Sequence, residues 1–119
     1  MIAVIFEVWP AAGRTDDYLG IAAALRADLA GIDGFISVER FQSLTDPDKL
    51  LSLSFWRDEE AVTAWRTYAS HRAGQAKGRG GIFADYRLRI AGVTRDYGIN
   101  DRAAAPEDSR AVHDPQSAM

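Results

Sequence analysis

The chain opens on a nearly continuous apolar run from Ile2 to Trp9, interrupted only by Glu7 and closed by Pro10. A run of β-branched and aromatic residues with so little alternation predicts a strand inside a sheet. After a turn around Gly13 the period changes. Tyr18, Ala22, Leu25 and Leu29 recur three or four residues apart, with Ile21 beside them, which predicts an amphipathic helix. Thr15 stands where an N-cap is expected. Asp16 and Asp17 in the first turn suit the positive end of the helix dipole, and Gly31 and Gly34 bracket the exit.

From Phe35 to Ser43 the period is two. Phe35, Ser37, Glu39 and Phe41 share one face, and Ile36, Val38, Arg40 and Gln42 the other. Thr45-Asp46-Pro47-Asp48 is a turn signal. Lys49 to Arg57 alternates again, with Leu51, Leu53 and Phe55 opposite Leu50, Ser52, Ser54 and Trp56, so the two strands form a hairpin. Asp58-Glu59-Glu60 starts a second helix whose apolar stripe is Ala61, Val62, Trp65, Tyr68 and Ala69. A kink is expected near Ser70, and Gly78-Arg79-Gly80-Gly81 breaks the helix. Phe83 to Tyr97 reads as a long final strand. Residues 1–98 are expected to form one folded domain. Residues 99–119 lack periodicity and large apolar side chains, and read as a disordered tail or as an arm packed on a partner subunit.

The order β-α-β-β-α-β with short connections predicts an α+β, ferredoxin-like fold. Two helices cover one face of a four-stranded sheet, yet these strands carry large apolar residues on both faces. The expected partner for the second face is another copy of the chain, giving a homodimer joined through the β-sheet face.

Composition narrows the function classes. With 119 residues and 47 % hydrophobic residues, the chain suits a single domain with a real core. No apolar run approaches a membrane span, and the first ten residues lack the basic start of a signal peptide. The net charge of -3 argues against nucleic acid and against an anionic membrane surface as partners. With no cysteine, disulfides, thiolate metal sites and cysteine nucleophiles are excluded, and a cytoplasmic location is the default. No metal-ligand cluster, nucleophile motif or phosphate loop is visible, so no metal is expected.

Candidate chemistry gathers between Phe55 and Tyr86. His71 can take a phenolic proton or ligate iron, because its charge changes near neutral pH; a helix histidine bonded to a neighbouring strand is the plain alternative. Trp56 and Trp65 fit either core packing or a ligand pocket. Phe6, Tyr68 and Arg72 are further candidates for substrate contact. Tyr86 can hold a substrate oxygen or sit in an interface. Ser52 and Ser54, small on a leucine-rich strand, leave room for a ligand if they point inward. Glu7 is expected in a salt bridge; a dry burial would instead raise its pKa and make it a base.

The strand ending FWRDEEAV, the helix WRTYASHRAGQAKGRG and the closing FADYRLRIAGVTRDY, in this element order, resemble antibiotic biosynthesis monooxygenase (ABM) domain proteins over residues 1–98. The resemblance implies a dimeric α+β barrel. One branch of that family oxidises aromatic polyketide phenols to quinones without a cofactor. Its pocket tryptophan matches Trp56, while its pocket amide and tyrosine positions fall on Ser52 and near Val62, which are departures. A second branch degrades heme with an axial histidine. It matches Trp65, but His71 lies only six residues beyond, and Phe6 and Glu7 occupy the first-strand asparagine position. A third branch contains stress- or signal-related members acting on quinones or small metabolites. The resemblance therefore implies a small ABM-type monooxygenase, independent of metal and flavin, that oxidises an aromatic or quinone-like molecule. His71, Trp56 and Tyr86 would act in catalysis, and Phe6, Ser52, Trp65, Tyr68 and Arg72 in substrate binding. A heme-binding protein with His71 as axial ligand and a non-catalytic small-molecule-binding dimer are the alternatives.

Overall fold

The apolar run at the start becomes β1 (Ile2–Pro10) and takes an inner position in the sheet, as its lack of alternation predicts. In the computed structural model, which describes residues 1–68 and 81–114, β1 pairs antiparallel with β3 (Leu50–Trp56) on one side and with β4 (Phe83–Gly92) on the other. β2 (Phe35–Gln42) completes the order β2-β3-β1-β4. Helix α1 (Thr15–Ala30) joins β1 to β2, and α2 (Glu59–Thr67) follows β3. This is the ferredoxin-like α+β arrangement that the element order predicts. Among the described residues no helix is long and apolar enough to cross a membrane.

Register sorts the side chains into two faces. Val4 pairs with Ser54 and Ile90, and Phe6 with Ser52 and Leu88; these lie on the face toward α1 and α2. Ile5, Leu51, Leu53 and Phe55 lie on the other face, where they remain half-exposed. On the helix side two core clusters form. Leu29, Trp56, Ala61 and Val62 make one, with Phe35, Val38 and Trp65 against it. Val8, Tyr18 and Ile82 make the other, with Phe6 and Phe83 against it.

Four details differ from the sequence reading. First, β2 does not alternate from Phe35 onward. Its register shifts between Phe35 and Ser37, leaving Ile36 51 % exposed. The bulge turns Phe35 to the helix side, where its ring meets Trp56 at 5.3 Å, so Phe35 and Val38 share a face. Second, Thr15 is the first helical residue and not the cap. Arg14 occupies the cap position without a side-chain bond to the backbone, and its guanidinium reaches Asp17 instead. Third, α2 ends at Thr67, which puts Tyr68 at its cap. Fourth, β4 stops at Gly92, opposite Ile2 where β1 begins, and Val93 adds one more backbone bond to Met1. The expected kink at Ser70 lies outside the described residues.

The start of α2 follows its sequence signal. Asp58 accepts a hydrogen bond from the Ala61 amide at 2.9 Å, which with the salt link to Arg57 holds its carboxyl below the usual range. At the turn into β2, Gly34 has φ +90°, and a Cβ there would lie 2.7 Å from that of Ala61. Only glycine meets both demands. After β4, a short helix α3 (Glu107–His113) that the sequence pattern did not announce is held by Arg102, which bonds Gly98, Ser109 and Asp114.

Candidate active site

The two core clusters do not meet at the middle of the sheet, because the β3 residues there are Ser52 and Ser54. Serine is too small to bridge the gap to α1, and a cavity of about 220 Å³ remains. Its floor is formed by Val4, Phe6, Val38, Arg40, Ser52 and Ser54. Its roof is the α1 stripe of Tyr18, Ile21, Ala22, Leu25 and Leu29, the same residues whose spacing predicted the helix. One end is closed by Trp56 and Trp65, whose rings lie 6.4 Å apart. The other is walled by Phe83, Tyr86 and Leu88. Arg66, Tyr86 and Leu88 line the cavity and are exposed to solvent, so the opening lies between the end of α2 and β4.

Aromatic rings flank the space at both ends. Phe6 sits 5.9 Å from Phe83 and 5.6 Å from Tyr86, and Tyr18 5.7 Å from Phe83. Trp65 stacks on Tyr68 at 6.0 Å. Such edge and tilted contacts stiffen the walls and present both ring faces and ring edges to an apolar guest. Trp56 is 1 % exposed, and its indole N–H donates to the Ser54 hydroxyl at 2.9 Å. Its remaining offer to a ligand is therefore a ring surface, not a hydrogen bond. Burial pushes the Tyr18 phenol above its ordinary value, and the charge and hydrogen bond of Arg40 act in the opposite direction.

Of the residues singled out from sequence, Phe6, Ser52, Trp56, Trp65 and Tyr86 converge on this one cavity. Tyr68 stands beside it through its stack on Trp65. His71 and Arg72 lie outside the described residues. Glu7 is on the opposite face, where Lys49 at 2.7 Å and Arg89 at 2.6 Å hold it. Its carboxyl is lowered chiefly by the Lys49 hydrogen bond, so it is no raised-pKa base. The sequence reading missed Tyr18 and Arg40 as cavity residues. Tyr18 was hidden in a stripe that reads as ordinary packing. The available signal for Arg40 was a cation on the same strand face as Val38.

Comparison with known proteins agrees with this geometry. The family model for antibiotic biosynthesis monooxygenases matches residues 1–77. A jasmonate monooxygenase ABM of Pyricularia oryzae is 50 % identical over 101 residues, covering 85 % of this chain and 47 % of the relative. The uncharacterised Bacillus subtilis protein YqjZ is 33 % identical over 63 residues, covering 52 % of this chain and 53 % of its own. The chain, or its matched part, thus spans about half the length of the curated relatives it matches. The solved structure of Rv0793 from Mycobacterium tuberculosis superposes with a TM-score of 0.73 at 14 % identity, over 82 % of this chain and 98 % of that one, which is a likeness of fold. The ferredoxin-like sheet, the aromatic-walled cavity beneath its helices and the match over the first two thirds of the sequence lead to one assignment: the chain belongs to the antibiotic biosynthesis monooxygenase family.

Proposed function

We propose that this chain is an ABM-type monooxygenase that oxygenates a small, largely apolar molecule enclosed between the sheet and α1. The observation that carries this reading is the cavity itself, a gap in an otherwise packed core, made by two serines and walled by aromatic rings. Membership of the family supports the reaction class. Two substrate classes follow: phenols or quinone precursors, as the sequence resemblance implies, and jasmonate-like compounds, as the name of the Pyricularia relative suggests.

The proposed reaction uses neither metal nor flavin, so the substrate must itself reduce dioxygen. Proton removal, from the O–H of a phenol or from the activated CH₂ of its keto tautomer, gives an electron-rich phenolate. The net change R₂CH₂ + O₂ → R₂C=O + H₂O then balances, with all four electrons coming from the substrate. His71 is the proposed base. Apolar walls exclude water and strengthen the interactions that stabilise the developing charge. A second copy of the chain, docked on the half-exposed face of Ile5, Leu51, Leu53 and Phe55, is part of the proposal.

Heme chemistry would need an axial ligand. No histidine or cysteine among the described residues lines the cavity, so this alternative rests on His71 alone. The test combines oxygen-electrode screening of both substrate classes with a hemin titration, each repeated on His71→Ala. Turnover falling by roughly 10²–10⁴-fold in the variant is expected for a lost base. An unchanged rate would remove His71 from the mechanism. A stoichiometric Soret band lost in His71→Ala would overturn the metal-free reading. Tight binding of an aromatic ligand without oxygen uptake would make the chain a binding module.

A further inference from the structure

The apolar chemistry of the cavity leaves one of its floor residues unexplained. Arg40 stands on β2 with its Cα paired to that of Ser52, on the face that also carries Val38. Its Nε is sealed from solvent and has no hydrogen-bond partner among the described residues. None of their ion pairs includes it. The guanidinium shares a hydrogen bond with the Tyr18 phenol, which burial keeps in its neutral form, so its charge is not cancelled there. A sealed, unpartnered donor atom on a half-buried cation without a counter-charge is a standing cost to the fold. An anion entering the cavity would supply the missing counter-charge.

We propose that Arg40 is the specificity-determining residue of this site, and that it binds the carboxylate of an apolar acid whose body fills the rest of the cavity. This rests on the reading of the cavity as the substrate site. Guanidinium chemistry selects the carboxylate: the two terminal Nη groups present N–H donors in one plane that match its two oxygens, while the sealed Nε stays behind them. One guanidinium carries a single positive charge, which cancels a carboxylate and leaves much of the charge of a phosphate monoester, about -1.5 to -2, uncompensated. The register sets the direction of the body. Arg40, Ser52, Phe6 and Leu88 occupy one row across the four strands, about 14 Å from end to end at strand spacing. A head group at Arg40 therefore places the apolar body over Ser52 and Phe6, toward the opening beside Leu88. Arg66, the other cation of the lining, is exposed and already solvated, so it discriminates far less.

The test measures affinity by calorimetry for two acids, jasmonate and 4-phenylbutyrate, each against its methyl ester. Acid and ester share a body and differ in charge. In the wild-type chain each acid is expected to bind about 10- to 100-fold tighter than its ester. Arg40→Gln should abolish that preference while the esters bind as before, Arg40→Lys should retain part of it, and Arg66→Gln should keep most of it. A merely structural role of Arg40 would instead weaken acid and ester alike, and would overturn the assignment. So would equal wild-type affinities, or a preference lost in Arg66→Gln and kept in Arg40→Gln. Esters that bind without acid preference defeat Arg40 alone and leave the cavity as the substrate site. Failure of all four compounds to bind defeats both readings. If Arg40→Gln does not fold, the wild-type acid-to-ester ratio decides.

Discussion

The two faces of the sheet are built from the same strands, residue by alternate residue, and end in different states. On the helix side Trp56 and Val8 are sealed, the rings of two clusters interlock, and an unfilled space persists between them. On the other side Leu51, Leu53 and Phe55 remain half-exposed around a surface ion cluster of Glu7, Lys49 and Arg89. The difference lies in where each face finds its cover. The helix side is covered by α1 and α2 of the same chain over β2, β3 and β1, with Leu88 and Ile90 of β4 left exposed, and its cavity is defined by the residues left small. The other side depends on something outside the described residues. Packing stability and the proposed ligand site therefore belong to one face, and the proposed association to the other.

Mutations should separate the two. Trp56→Ala removes the largest sealed side chain and should cost about 3–5 kcal/mol, read as a shift in urea midpoint at constant slope. Gly34→Ala puts a methyl group against Ala61 at a positive φ, and should cost about 1–3 kcal/mol. A neutral result would mean that the turn moves freely, and would weaken the claim that the helix side is tightly set. On the other face Leu53→Ala should cost about 1–2 kcal/mol within one chain, since Leu53 is only partly buried there. Leu53→Asp should lower the sedimentation mass from that of the proposed dimer to that of a monomer without unfolding the chain. An Asp variant that unfolds, or that keeps its mass, would contradict the division between faces.

The smallest effect concerns pH. Lys49 and Arg89 hold the Glu7 carboxyl below its ordinary 4.5, so the folded chain binds fewer protons there than the unfolded one. The contribution of Glu7 is present above about pH 4.5 and is lost as pH falls through the lowered folded value. Glu7→Gln should flatten the acid limb of the stability curve and leave the neutral region's slope unchanged. An unaltered acid limb would leave the ion cluster without influence on folding.

Much of this was legible in the chain order. The period-3.6 stripe from Tyr18 to Leu29 gave α1 and its buried face, and the serines of β3 announced a place where the core is not filled. Asp58 signalled its own cap through a local bond to Ala61. Phe35 was misread because a bulge is a two-strand event: it depends on how Phe35 and Ser37 meet Trp56 and Phe55, and alternation along β2 carries no trace of it. β4 was read too long for the same reason, since its end is set by the start of β1.

The sequence by itself determined the local periods, the element order and hence the ferredoxin-like topology, because helix and strand patterning act over a few residues and connections are short. The tertiary structure alone decided which residues meet. Trp56, Trp65, Phe6, Ser52 and Tyr86 lie far apart in the chain, and only antiparallel pairing places them around one cavity. The same pairing sets Arg40 opposite Ser52, with its Nε sealed and unpartnered among the described residues. Burial and counter-charge are properties of the packed sheet and helices, and no linear pattern encodes them.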